Sequence, residues 1–302
     1  MLIWIPIGLA SGWLLRRLGV GGEGLPSLLA AWALRVALPA TVLKVLADLP
    51  LARLLHPAVW LPWILLLPLA LLVKGLLARL AFLNPDQRRL LLLLGILGNT
   101  SFLGLPLLQA VMGEAALAPA LLYDQFGSFP QLLLLGTLIL EQRAQGAQKR
   151  GSAALRRLLA FPPLPALLLA LSPWGLPLKN LLMPLLGQVS WTLVPVVMLS
   201  LGGRLQLKLD AGDRPALALG LAVKMLLAPV LLLALVWLLG LRHTDLPVVL
   251  LESAMPPMAT AAAWAADRHC APALAAALVS VGIGLALLWI PLLAWLLPRV
   301  LP

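Results

Sequence analysis

Two short stretches hold most of the polar chemistry in an otherwise apolar chain. GNTSFLGLPL at 98–107 groups Asn99, Thr100 and Ser101 between Gly98, Gly104 and Pro106. ESAMPPMAT at 252–260 places Glu252 and Ser253 beside Met255, Pro256 and Pro257. Three more charges interrupt apolar runs: Arg35, Asp124 (followed by Gln125) and Lys224. A proline inside a helix removes an N–H and frees a carbonyl, and in hydrocarbon such groups persist only where they face protein, water or a ligand. A helix broken this way exposes unpaired amides and partial positive charge at the start of its second half, a setting that suits an anion. Ionisable side chains at membrane depth are costly, so each of these four is a candidate for function.

The composition makes the membrane the relevant solvent. The chain has 302 residues, is 62% hydrophobic with a mean hydropathy of +1.02, and only 11% of it is charged. Soluble domains carry about a quarter charged residues, so a soluble fold is excluded. The net charge of +11 comes from Lys and Arg that sit between apolar runs. They read as orientation signals rather than a nucleic-acid surface. One cysteine, Cys270, excludes a disulfide framework and any multi-cysteine metal site. His56, His243 and His269 fall in predicted loops far apart in sequence, so neither a metal cluster nor a cofactor is expected.

Stretches long enough to cross a bilayer predict ten helices: 1–15, 24–47, 57–73, 90–113, 115–140, 158–178, 180–203, 215–241, 246–266 and 270–298. Arg16 and Arg17 follow the first apolar run instead of preceding it, so that run is a retained helix and not a cleaved signal. Most Lys and Arg fall in the odd-numbered connections, which places those loops in the cytoplasm and both termini outside.

The one long polar stretch divides the chain into a first five-helix repeat (1–141), a cytoplasmic linker (142–157) and a second five-helix repeat (158–302), the halves being inverted. VALPATVL at 36–43 resembles TLVPVVML at 192–199, LAPALL at 117–122 resembles CAPALA at 270–275, and Pro106 answers Pro256, all at nearly constant offset. Inverted repeats with a broken helix in equivalent positions are a physical signature of a secondary transporter.

Bland roles compete with functional ones at each position. Asn99, Thr100 and Ser101 could bond neighbouring helices, and Pro106, Pro256 and Pro257 could be simple kinks. At ~1.5 Å per residue, Asp124 and Lys224 both fall near the midplane, where an ion pair between them would neutralise two costly charges. Glu252 could snorkel, carry a proton or cation, or hold Gln125. Arg35 stands four residues before Pro39, where a bond to backbone or lipid competes with substrate contact. Trp4, Trp13, Trp174, Trp289 and Trp295 fall toward span ends and read as an interfacial belt, while Trp60, Trp63 and Trp191 read as packing or lipid-facing surface.

GNTSFLGLPLLQAVMGEAALAPALLYDQFGSF at 98–129 and LESAMPPMATAAAWAADRHCAPALAAALVSVGIG at 251–284 resemble the two crossing-helix segments of bacterial members of the auxin efflux carrier family. VPVVMLSLGGRLQL at 194–207 is similar to that family's seventh helix. The resemblance implies an all-α, ten-helix, bile-acid-symporter-like fold in the cell membrane. Helices 1, 2, 6 and 7 would be the scaffold, helices 3–5 and 8–10 a mobile transport domain, and helices 4 and 9 would break and cross. It also implies elevator-type alternating access for a small organic anion such as a dicarboxylate or an auxin-like acid, and a homodimer. The substrate site would comprise Asn99, Thr100, Ser101, Gly104, Pro106, Ser253, Met255, Pro256 and Pro257; the in-span charges Arg35, Asp124, Lys224 and Glu252, with the neutral Gln125, stand beside it as candidate coupling or charge-pair residues. Ser101 and Ser128 depart from the family's more frequent glycine and asparagine.

Two other functional classes compete with the carrier reading. A sodium/proton exchanger or sodium-coupled symporter of related fold would use Asp124 or Glu252 as its carboxylate. An intramembrane enzyme would need a nucleophile with its base, paired aspartates or a metal motif, and Ser253 near Glu252 is a poor substitute.

Overall fold

The computed structural model describes residues 3–22, 24–140, 161–206 and 208–301. The linker expected at 142–157 lies outside them. Among the described residues the chain is helical, with no strand longer than an isolated bridge. The helices run in the order α1 (Trp4–Arg17), α2 (Leu25–Leu46), α3 (Pro57–Arg79), α4 (Pro85–Ile96), α5 (Thr100–Met112) and α6 (117–140). After the undescribed stretch come α7 (Pro163–Ala170), α8 (Gly175–Gly203), α9 (Ala211–Leu238), α10 (Leu246–Ser253), α11 (Ala259–Ala266) and α12 (Pro272–Val300). Five of them, α2, α3, α8, α9 and α12, are long and apolar enough to cross a membrane.

Proline placement explains the local irregularities. Four π-helical turns, Ala33–Ala37, Thr100–Gly104, Asp124–Ser128 and Val223–Leu227, each end two residues before a proline: Pro39, Pro106, Pro130 and Pro229. The proline ring would clash with the carbonyl four residues back, and widening the preceding turn relieves that clash without ending the helix.

Tryptophans satisfy two of the carbonyls freed in this way. Trp63 of α3 donates to the Phe126 carbonyl of α6 at 2.8 Å, and Trp289 of α12 donates to the Met225 carbonyl of α9 at 2.9 Å. Trp289 is therefore an internal cap and not the belt residue its sequence position suggested.

Close backbone approach fixes α1 on α8. A Cβ on Gly12 would lie 2.1 Å from the Leu199 carbonyl oxygen, and one on Gly202 would lie 2.1 Å from that of Leu9. Gly8 faces Met198 in the same seam. Arg16 then donates to the Gly203 carbonyl at 3.1 Å, capping the end of α8. The boundary before α8 differs from expectation. The sixth predicted span ran to 178, but the helix stops at Ala170 and a turn through Ser172 and Pro173 starts α8 at Gly175. Ser172 bonds the Leu169 carbonyl through its hydroxyl, which competes with helix continuation.

Polar ties join other helix ends. At the start of α4, Asn84 and Gln87 form a reciprocal capping box, and Gln87 Nε2 also donates to Asp213 at the start of α9 (2.6 Å). His56 caps α3 by accepting the Ala58 N–H on Nδ1, which leaves Nε2 to donate to Asp245 at the start of α10 (2.9 Å).

Candidate functional site where two broken helices meet

The predicted break in each of the two polar stretches is present, and the two breaks meet. Between α4 and α5, residues 97–99 leave the helix; between α10 and α11, residues 254–258 do so. Gly98 and Pro257 form an antiparallel bridge. The Asn99 N–H donates to the Pro256 carbonyl at 2.8 Å, and the Met258 N–H donates to the Leu97 carbonyl at 3.1 Å. Each break thereby satisfies part of the backbone that the other has freed.

Pro106 is not the breaker of its helix. It sits at the start of the α-helical part of α5, after the π turn, and the helix parts eight residues earlier at Gly98. In the other half Pro256 and Pro257 do lie inside the break, because two adjacent residues without N–H groups cannot continue α10.

Pro257 also accounts for Lys224. The Ser253 carbonyl would pair with the amide four residues on, which in proline is missing. Lys224 Nζ takes its place, donating to Ser253 O at 2.7 Å and capping α10 at the end where the helix dipole is negative. The stem reaches that carbonyl past Gly98, where a Cβ would lie 2.9 Å from Lys224 Cε. The expected Asp124–Lys224 ion pair does not form: among the described residues no contact within salt-bridge distance joins them.

Asp124 is held by other partners. Its Oδ1 accepts the hydroxyls of Thr100 (2.5 Å) and Ser101 (2.6 Å), and its Oδ2 accepts the Gln125 amide at 2.8 Å. The carboxylate is fully buried and links the π turn of α5 to that of α6. Gln125 is therefore engaged by Asp124 and not by Glu252 as the sequence suggested. Ser253 spends its hydroxyl on the Leu250 carbonyl, and Met255 is buried in the break. Glu252 is fully buried against Gly104, and neither of its oxygens has a hydrogen-bond partner. Arg35 is exposed in the π turn of α2 and makes no hydrogen bond to the described protein, so the expected backbone bond is not made.

What remains available at the crossing is Asn99 and two helix N-termini. Asn99 is 3% exposed and its Nδ2 has no partner. The first amides of α5 and α11 open beside it and lack intrahelical acceptors, as at any helix start. The π turn of α5 packs against the second half of α8. A cavity of about 480 Å³ opens between α8, α11 and α12, lined from Ala259 at the crossing to Arg204 at the end of α8, with Gln206 and Ser280 as its other polar groups. Arg204 and the two helix N-termini offer positive charge and donors to a ligand, and the Asn99 and Gln206 amides carry both donors and acceptors.

Away from the crossing, His56 and His243, far apart in sequence, meet edge to face at 4.5 Å between ring centroids beside Asp245. Each ring already accepts a backbone amide on Nδ1 (Ala58 and Asp245), so the cluster serves as helix caps.

Residues 10–294 match the model of a family described as membrane transport protein. An uncharacterized transporter of Methanothermobacter thermautotrophicus is 28% identical over 291 residues, covering 93% of this chain and 92% of that protein. An uncharacterized transporter of Methanocaldococcus jannaschii is 31% identical over 178 residues, covering 55% of this chain and 54% of that protein.

Proposed function

The chain belongs to the membrane transport protein family, that of the auxin efflux carriers, and we propose that within it this protein is a secondary carrier of a small organic anion. That it is a multi-pass membrane transporter, and not an enzyme, follows from the family. The finer reading rests on one observation. At the crossing, the Asn99 side-chain amide, whose Nδ2 has no partner, stands with the open N-termini of α5 and α11, which add donors and positive dipole ends. A carboxylate complements that set.

In this reading α3–α6 and α9–α12 form the transport domain and α1, α2, α7 and α8 the scaffold, as two inverted five-helix repeats. The polar ties support the pairing of halves. Gln87–Asp213 joins α4 to α9 and His56–Asp245 joins α3 to α10, the equivalent helices with the halves exchanged. The cavity between α8 and α11–α12 lies along the boundary that sliding would open, and it includes Arg204, which an odd-numbered, cytoplasmic loop would place on the inner side. A cell-membrane location with both termini outside, and a homodimer through the scaffold, complete the proposal. The sodium/proton exchanger alternative is weakened at Asp124, whose carboxylate is already occupied by three donors.

Proteoliposome uptake of radiolabelled succinate, malonate and indole-3-acetate, with and without sodium or proton gradients, tests the reading. At least one anion accumulates with the wild type, and Asn99→Ala reduces that uptake tenfold or more. Transport of none of the anions, or equal uptake by Asn99→Ala, overturns it.

A further inference from the structure

Asp124 and Glu252 are two buried carboxyls treated in opposite ways. Asp124 receives three donors, while Glu252 receives none on either oxygen. The space Glu252 occupies exists because residue 104 is glycine: a Cβ there would lie 2.5 Å from Oε2 and 2.9 Å from Oε1. Its position in the last turn of α10 puts it near the negative end of the helix dipole, which opposes an anion. The charged and titratable groups that act on it are Asp124, Lys224 and Tyr123. The one cation among them is turned toward the Ser253 carbonyl.

A buried ionised carboxylate without protein donors or a contacting counter-ion is strongly disfavoured, whereas the neutral acid is tolerated. When the environments of two carboxyls differ this much, their roles divide into a fixed anion and a proton holder. A sodium ion is the poorer occupant, because hard cations gather several oxygen ligands at once and Glu252 has no polar group bonded beside it.

We propose that Glu252 is the proton-binding residue of the carrier. It holds a proton while buried as described here and exchanges it with water on whichever side movement of the transport domain exposes it. The proposal rests on the carrier reading above. With Glu252 protonated, Asp124 and Lys224 cancel, so the mobile helices add no net buried charge of their own to that of the bound anion. The site lies beneath the π turn of α5, the segment that packs on α8, so movement along that boundary would change its access to water.

Infrared difference spectroscopy on the purified full-length protein tests the protonation without any substrate. At neutral pH the wild type shows the carbonyl stretch of a buried protonated carboxyl; Glu252→Gln lacks it and Asp124→Asn keeps it. Absence of the band in the wild type, or its persistence in Glu252→Gln, overturns the proposal. In proteoliposomes, with succinate as first probe, an inward proton gradient drives at least tenfold accumulation in the wild type. Glu252→Gln loses this accumulation but still exchanges the anion across the membrane. Gradient-insensitive accumulation by the wild type also overturns the proposal. Failure of the carrier reading is a different result, in which no anion moves while the infrared band is present and still depends on Glu252.

Discussion

Asp124→Asn asks whether the carboxylate holds the crossing together. Thr100 and Ser101 donate to one oxygen at 2.5 and 2.6 Å and Gln125 to the other at 2.8 Å, all around a residue with no exposed surface. Hydrogen bonds to a charged group are worth about 1.5–3 kcal/mol and neutral ones about 0.5–1.5. Converting the two hydroxyl contacts to neutral bonds therefore costs about 1 kcal/mol each. The new amide then meets the Gln125 amide donor to donor until Gln125 flips. The expected loss is about 2–4 kcal/mol. Asp124→Ala is worse, because it orphans three buried donors at about 1–3 kcal/mol each. Equilibrium unfolding in mixed micelles, run as a double-mutant cycle with Thr100→Val, reads the coupling, expected at about 1–2 kcal/mol. Strict additivity of Asp124→Asn and Thr100→Val, or equal stability of the Asn and Ala variants, would refute the assignment of Asp124 as the link between α5 and α6.

Other perturbations follow from the same contacts. Lys224→Met uncaps the buried Ser253 carbonyl, so about 1–3 kcal/mol should disappear from the same unfolding assay. Gly12→Val pushes a side chain into the Leu199 carbonyl, where backbone must move, and should lower the unfolding midpoint markedly; Gly187→Ala, with nothing near its Cβ, is the control and should stay within about 0.5 kcal/mol. Trp289→Phe leaves the Met225 carbonyl without its donor and should cost about 1–2 kcal/mol, with Trp295→Phe, on the exposed surface, costing less. Burial first, and the negative charge of Asp86 second, push the Cys270 thiol up, against the pull of Arg89 and the Leu90 amide. Cys270 thus stays a thiol at neutral pH, and N-ethylmaleimide should modify it far more slowly than in unfolded protein, with a rate that rises as pH increases.

The sequence was most legible where length and hydropathy decide the outcome, as in the apolar helices and the two polar stretches in which they break. It was least legible where a side chain chooses among distant partners. Asp124 and Lys224 sit at similar depth, so an ion pair was a reasonable expectation, yet each has a stronger local claim: two hydroxyls on the neighbouring π turn for Asp124, and a carbonyl stranded by Pro257 for Lys224. The second of these could have been found, because a proline four residues after Ser253 announces a carbonyl in need of a donor. So could the α1–α8 seam, since Gly8 and Gly12 form a G-x-x-x-G pair of the kind that lets membrane helices touch. The meeting of His56 with His243 and Asp245 had no signal, because it depends on where the starts of α3 and α10 arrive in space.

Proline spacing then explains why the four in-span charges stand where they do. Arg35, Asp124 and Lys224 each lie in a π turn that ends just before a proline, and Glu252 lies four residues before Pro256. A regular helix at membrane depth has no backbone group to spare for a charge. A turn that a proline has opened does have spare groups, and it also directs a side chain away from the regular helical register. In α9 and α6 the spare carbonyls are claimed by Trp289 and Trp63, which lets the widened turns persist while Lys224 and Asp124 reach across to α10 and α5. The prolines and the charges are thus one device. Replacing Pro229 by alanine should restore the regular helical bond to Met225, displace Trp289 from its acceptor, and rotate Lys224 away from Ser253, so that its effect and that of Lys224→Met overlap in a double-mutant cycle. Additive effects would show that the π turn and the lysine cap are independent.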